Sequence, residues 1–431
     1  MILRSLFPRP GRSLTSTLRF TLRLLAIFIC LEATYIAVHN PPYVRVPPGS
    51  PQDPASTAAA AKPRIFIASI HRNNEAVLRS HWNSGLLSLI RHFGAQNVFV
   101  SLYESGSIDA TKDVLRQLDA QLEELRVPRS VVIDDHDQIE EVERRLSAKE
   151  PGWVWTSNAR FELRRIPYLA ALRNGVMGKL HELREAGETY DYVLWLNDVV
   201  FTVEDVLTLM ATRDGAWDSV CAMDFSVASI YYDTFALRDA AGAKAEPQGW
   251  PYFLDARSRR AVREKAPVPV RSCWNGVVVF KAEAFYGRDG REGLRFRGIE
   301  DGLAEYHLEG SECCLVHADN TARLEEGGGG EGVWLNPNVR VGYNPEAYVA
   351  VNPGGGRGKW PAGLRRVRGV WENRMGRAFV WPRRWMERRE VRGRVAEWER
   401  KGEEGQERRE TGEWCLINEM QVLAGAGWVH V

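Results

Sequence analysis

Three features are absent or scarce in this 431-residue chain, and each removes a class of answer. No Asn-x-Ser/Thr acceptor occurs, so nothing in the sequence argues for an N-glycan. Cysteine is rare, with six residues, and no spacing among them suits a zinc ribbon or finger. Net charge is small: a formal +1 argues against nucleic acid or any other general polyanion as a partner. With 44% apolar and 26% charged residues, the remainder reads as a folded globule with one large core or two modest ones.

Long hydrophobic runs are equally scarce, and the clear one lies at the N-terminus. Arg4, Arg9, Arg12, Arg19 and Arg23 lead into the apolar stretch Leu24 to Val38, with no acid before Glu32. This pattern predicts a cytosolic basic tail over 1–19 and a signal-anchor helix over 20–38, with the rest of the chain lumenal. A cleaved signal peptide is the competing reading, but His39-Asn40-Pro41-Pro42 offers no small-x-small site. Residues 40–63 hold seven prolines among Ala, Ser and Thr and are expected to form a stalk. A lumenal address permits disulfides among Cys221, Cys273, Cys313, Cys314 and Cys415, an odd set that leaves at least one thiol over; buried apolar thiols are the plain alternative.

Apolar runs and helical periodicity then alternate. Strands are expected from Arg64, over Asn97 to Tyr103, over Val131 to Ile133 and over Tyr192 to Leu196. Between them come helices carrying Leu78, Trp82, Leu86, Leu89 and Phe93, then Val114, Leu118, Leu122 and Leu125, then residues 161–184. The class is α/β: a mostly parallel sheet with helices on both faces. In such sheets ligands sit beyond the carboxyl ends of the strands. The polar loops there place Asn73, Glu75, Glu104, Asp109 and Asn197 as expected cofactor-binding positions.

The stretch YVLWLNDVVF, 192–201, sets Asp198 between two apolar runs. A carboxylate there is costly without a cationic partner, and a divalent metal carrying a diphosphate is one. The plain alternative is a turn cap, although Thr202 with Asp205 already forms a capping box. A second cluster follows. SCWNGVVVF, 272–280, offers Trp274 to stack on a sugar, Asn275, and Gly276 to let a ligand approach the backbone. FRGIEDGLAEYHLEGSECCLVHADN, 296–320, is dense in acids and histidine: Glu312 and Asp301 are the expected catalytic carboxylates, and His317 a neutral imidazole ligand.

LNDVVF, the MDF at 223–225, SCWNGVVVF, RFRGI and HLEGSECCLVHADN together resemble the fungal capsule-associated α-1,3-mannosyltransferase family, glycosyltransferase family 69, over roughly residues 64–350. The resemblance implies a glycosyltransferase-A-type mixed sheet flanked by helices behind an N-terminal membrane anchor, in a single-pass type II Golgi protein. It implies GDP-mannose as donor, a glycan or polysaccharide acceptor, Mn²⁺ as the divalent cation, and retention at the anomeric carbon. Such folds carry an Asp-x-Asp metal motif; the matching place reads Asn197-Asp198-Val199, so Asp198 carries over as metal ligand, with His317 as its expected second.

Beyond Pro353 the composition shifts to Arg, Gly, Glu and Trp, which predicts a helical Arg/Trp-rich extension over 351–431; an anionic-polymer surface is the sharper alternative. The glycines at 327–330 are expected to form a lid. Two further functions compete with the transferase: a non-catalytic Golgi scaffold or glycan-binding protein, and a carboxylate-dependent hydrolase using Glu300, Asp301 or Glu312.

Overall fold

Runs such as Ile65–His71 and Tyr192–Leu196 have no polar face to offer water, and the fold covers both of their faces. The computed structural model describes residues 12–56, 62–134, 142–144, 148–228, 230–246, 248–287, 292–326, 329–402, 408–425 and 427–431. In chain order the elements used below are α1 (Arg12–Val38), β1 (Ile65–His71), α2 (Asn83–Phe93), β2 (Val98–Glu104), α3 (Thr111–Glu124), β3 (Arg129–Ile133), α4 (Arg165–Glu185), β4 (Tyr192–Leu196) and α5 (Val203–Met210). They continue with β5 (Ser219–Val227), β6 (Val268–Ser272), β7 (Val277–Lys281), α6 (Glu312–Glu326), β8 (Val333–Gly342), α7 (Gly363–Arg400), β9 (Gln421–Ala424) and β10 (Gly427–His430).

The central sheet runs β3-β2-β1-β4-β7-β5-β8-β6 and ends on the short strand Arg238–Asp239. β3, β2, β1 and β4 are parallel; β7 is inserted antiparallel between β4 and β5, and β5 pairs parallel with β8. The sheet is mixed and flanked by helices, in keeping with the α/β class that the alternation of runs predicts. β1, β2 and β4 run the same way, so the polar loops after them gather at one edge. Leu78, Trp82, Leu86, Leu89 and Phe93 are buried on one sheet face, as their spacing predicts, with a π-helical turn at Leu78–Trp82. Leu118 and Leu122 are buried too, whereas Leu125 caps α3 in the open. Thr202 and Asp205 form the expected capping box of α5.

Cys221 is bonded to Cys273 and Cys314 to Cys415, leaving Cys313 as a buried thiol. The first bond ties β5 to the approach to β7, and the second ties α6 to the C-terminal segment.

α1 contains Leu18–Val38, 21 residues of mean hydropathy 1.8, long and apolar enough to cross a membrane. Glu32, the acid inside that run, pairs with Arg374 of α7 (Oε2 to Nη1 2.6 Å). The segment read as a stalk lies against the globule over its described residues. Tyr43 is sandwiched by Lys265 and Arg340 at 3.5 and 3.7 Å, Arg45 pairs with Asp205, and Asp53 pairs with His92 at 3.0 Å. Composition alone did not reveal this, because the few side chains that pack are spaced out among prolines. The first residues of the basic tail and residues 57–61 lie outside the described residues.

Candidate functional site

The interruption at Asn197-Asp198 is a tight turn. Val199 N donates to Asn197 O (2.8 Å), Trp82 Nε1 donates to the same carbonyl (2.9 Å), and Trp274 Nε1 donates to Asn197 Oδ1 (3.1 Å). Val199, Val200 and Phe201 then return to the core. Two indoles thus fix the turn and present Asp198 beyond the end of β4. Its Oδ2 accepts from Asn74 Nδ2 (2.9 Å), while Asn74 is held through its own N–H by Thr111 Oγ1 (2.7 Å). Burial pushes the Asp198 carboxyl above its ordinary value, against the lowering effect of Asn74.

Asp198 lines a cleft of about 370 Å³, within the usual size range of small-molecule sites. β1 contributes His71, and the loop after it Arg72 and Asn74; α4 contributes Arg165, Tyr168, Leu169, Leu172 and Arg173; the β9–β10 hairpin contributes Leu423, Gly427 and Trp428. Three cations therefore share the cleft with one carboxylate. Arg173 lies 4.4 Å from the Trp274 ring and 5.2 Å from Trp195, and its Nε donates to Glu312 Oε1 (3.1 Å). Arg165 donates to Gln421 Oε1 (2.7 Å) and stacks 4.7 Å from Trp428, which ties the hairpin to α4. His71 packs edge-on against Trp82, and burial pulls its pKa down to about 4, so it is neutral at physiological pH.

The other expected positions have different work. Asn73, Glu75 and Asp109 clamp the first two loops together, and Glu104 closes the second loop on itself. Asn73 Oδ1 accepts from Ile108 N (2.9 Å), Asp109 Oδ2 from Glu75 N (3.2 Å), Glu75 Oε2 from Ala110 N (3.4 Å), and Glu104 from Ser107 N. Trp274 is buried under Arg173 and is not open to a sugar. Asn275 donates to Asp224 Oδ1 (3.3 Å) and Asp233 O (3.0 Å). Gly276 is required by packing: at φ +78° a Cβ would stand 2.7 Å from Val341 Cγ2 and 3.0 Å from Val199 Cγ1.

The acidic cluster is corrected most. Asp301 Oδ1 accepts from the fully buried Arg164 (Nη1, 2.7 Å), whose Nη2 donates to Glu309 Oε1 (2.9 Å), so Asp301 belongs to an ion-pair network. Glu312 stands behind Arg173 and does not line the cleft. His317 is fully buried with both ring nitrogens occupied, Nε2 on Cys273 O (2.7 Å) and Nδ1 on Ser219 Oγ (3.1 Å), and it is not placed to ligate a metal beside Asp198. Gly330 lies by Asp218, just before β5, at the opposite end of the sheet from Asp198 and not over the cleft; Gly327 and Gly328 lie outside the described residues.

Sequence reasoning missed Arg165, Tyr168, Arg173 and Trp428. For the first three a signal existed: residues 165, 168, 169, 172 and 173 follow the spacing of one helical face. It also missed Asp224, which accepts from Tyr343 OH (3.0 Å) and Asp233 N (3.2 Å) and whose pKa burial and Asp233 push up.

Among the described residues, the only trio of His, Cys, Asp or Glu close enough to hold an ion is Cys221, Cys273 and His317, and it consists of a disulfide and a committed histidine. Asp198 keeps one oxygen that takes no side-chain donor. A single carboxylate fits a hard cation whose other ligands come from substrate phosphates, the usual arrangement for Mg²⁺-like ions.

The family model described as Cryptococcal mannosyltransferase 1 matches residues 64–319. No curated protein sequence matches the chain. Among solved structures, TarS 1–349 of S. aureus aligns at TM-score 0.34 and 10% identity, over 64% of this chain and 59% of that one. PcManGT of Pyrobaculum calidifontis, a mannosyltransferase in complex with GDP-Man and Mn²⁺, aligns at 0.35 and 13%, over 90% and 86%. GalNAc-T7 with UDP, GalNAc and Mn²⁺ aligns at 0.34 and 11%, over 66% and 45%. All three scores lie below 0.5.

Proposed function

Because the chain belongs to the cryptococcal mannosyltransferase 1 family, we propose that it is a metal-dependent glycosyltransferase that moves mannose from GDP-mannose to a glycan acceptor, in α-1,3 linkage with retention. The observation that supports this most directly is Asp198, fixed at a cleft mouth by Asn74 and sharing the cleft with Arg72, Arg165 and Arg173. One acid among cations suits a ligand that is a diphosphate with a divalent metal attached. Asp198 would hold the cation, Mn²⁺ on this reading, and the cation would supply Lewis-acid neutralisation of the departing diphosphate. Arg165 and Arg173 add fixed positive charge where the leaving group's charge develops. Glu312 keeps the Arg173 guanidinium oriented, and Trp428 with Tyr168 lines one side of the cleft with aromatic surface. On the same reading α1 is the anchor of a type II Golgi protein with its catalytic domain in the lumen.

The test is turnover of a nucleotide-sugar panel by the full-length protein in detergent, with and without Mn²⁺. Transfer from GDP-mannose that needs the ion is the expected result. The lone carboxylate also suits a glycan-binding scaffold that has lost the chemistry, and calorimetry separates the two: a scaffold would bind no GDP, with or without Mn²⁺.

A further inference from the structure

A second concavity lies between α7, the turn around Lys244 and the Trp414 segment, and it shares no lining residue with the cleft of Asp198. Its volume is about 130 Å³. That is about a third of the volume of the Asp198 cleft, room for a tetrahedral oxyanion with part of its hydration.

Arg238, Lys244, Arg271, Arg384, Arg388 and Arg392 line it, against only Glu387 and Glu413. Both acids are already taken, Glu387 by Arg384 and Glu413 by Arg392 (2.9 Å). Arg384 also holds Glu246, and Arg238 is spent on the carbonyls of Phe235, Leu237, Trp414 and Cys415. Among the described residues, Lys244, Arg271 and Arg388 have no carboxylate within salt-bridge distance, and Arg271 rests 5.6 Å from the Trp414 ring.

Three cations without a paired carboxylate around one hollow repel each other, and Lys244 among them is half-buried while Arg271 and Arg388 reach solvent, an arrangement an anion relieves. Burial, then Arg238 and Arg384, hold the Lys244 ammonium below its ordinary value, and burial with Arg384 pulls Arg238 down to about 10. The walls are fixed in advance. Arg238 ties down the Trp414 and Cys415 carbonyls, the Cys314–Cys415 bond anchors that segment, and Arg384, Arg388, Val391 and Arg392 share one face of α7.

We propose that this cavity binds a phosphate-type oxyanion through Lys244, Arg271 and Arg388. The ligand is inorganic phosphate or a phosphate carried on a sugar, and the site is independent of the transferase reading. Isothermal titration of the full-length protein in detergent, at constant ionic strength in chloride, with inorganic phosphate in one arm and glucose 1-phosphate in the other, tests it. Saturable binding is expected in at least one arm, and tighter binding of the sugar phosphate identifies an esterified ligand. Lys244→Gln should weaken binding about tenfold, as should Arg388→Gln, which sits at an exposed position and decides the matter if the first variant does not fold. GDP affinity should be unchanged in both. Absence of saturable binding, a wild-type titration by Arg388→Gln, or loss of the phosphate signal when GDP saturates the first cleft would each overturn the proposal.

Discussion

Residues 192–201 and residues 296–320 both interrupt apolar sequence with acids, yet they end in opposite states. In the first, Asp198 meets an amide and keeps an oxygen free beside three arginines in a cleft. In the second, nearly every charge is matched inside the protein. Asp301 and Glu309 are bound to Arg164, Glu312 to Arg173, Asp319 to Arg297 at 2.7 Å, and His317 to a carbonyl and a hydroxyl. A carboxylate is available for chemistry when its partner is weaker than a cation, and density of acids in the sequence says nothing about that.

The sharpest way to break this contrast is Arg164→Leu. It strands Glu309 and Asp301 and should cost about 3–5 kcal/mol of stability, read by denaturant unfolding; a loss below ~1 kcal/mol would mean the cluster is not structural. Next comes Asp198→Ala, expected to cut metal-dependent turnover by about 10²–10³-fold while unfolding stability changes by less than about 1 kcal/mol. Unchanged turnover would put Asp198 in the same class as Asp301. His317→Phe should retain transfer and lose about 1–3 kcal/mol at neutral pH by orphaning Cys273 O and Ser219 Oγ.

The same histidine makes a pH prediction. Burial lowers its folded pKa to about 4, below the ordinary 6.5, so the unfolded chain takes up a proton first as pH falls. Its contribution is complete above pH 6.5 and drains away between 6.5 and about 4, so the acid slope of stability should be shallower in His317→Phe than in the parent. The smallest effect is expected from Trp428→Ala, which opens the hairpin wall of the cleft. A rise of about threefold in donor or acceptor KM is expected, within the ~0.5–1.5 kcal/mol an aromatic contact provides, with unfolding unchanged.

Much of the parallel half of the sheet was legible. β1, β2 and β4 and the helices between them follow from apolar runs and 3.6-residue spacing, because a sheet covered on both faces demands uninterrupted hydrophobic strands. Asp198 was legible as a charge that breaks such a run. The roles of Trp274, Asn275 and Gly276 were not, since a tryptophan under an arginine and a tryptophan facing a sugar have the same sequence. Nor was the C-terminal hairpin, whose Trp428 lines the cleft beside Arg165.

The sequence by itself determined the strand and helix alternation, the apolar N-terminal helix and the place where an acid follows a buried strand, all of which depend on neighbours a few residues apart. Tertiary structure alone decided which charges are neutralised. Arg164 finds Glu309 and Arg173 finds Glu312 across separations of more than a hundred residues, where electrostatic partners are chosen by the fold, whereas among the described residues Lys244 has no acid within salt-bridge distance. A charge's chemistry depends on what faces it at a few ångströms, and only the packed chain sets that distance.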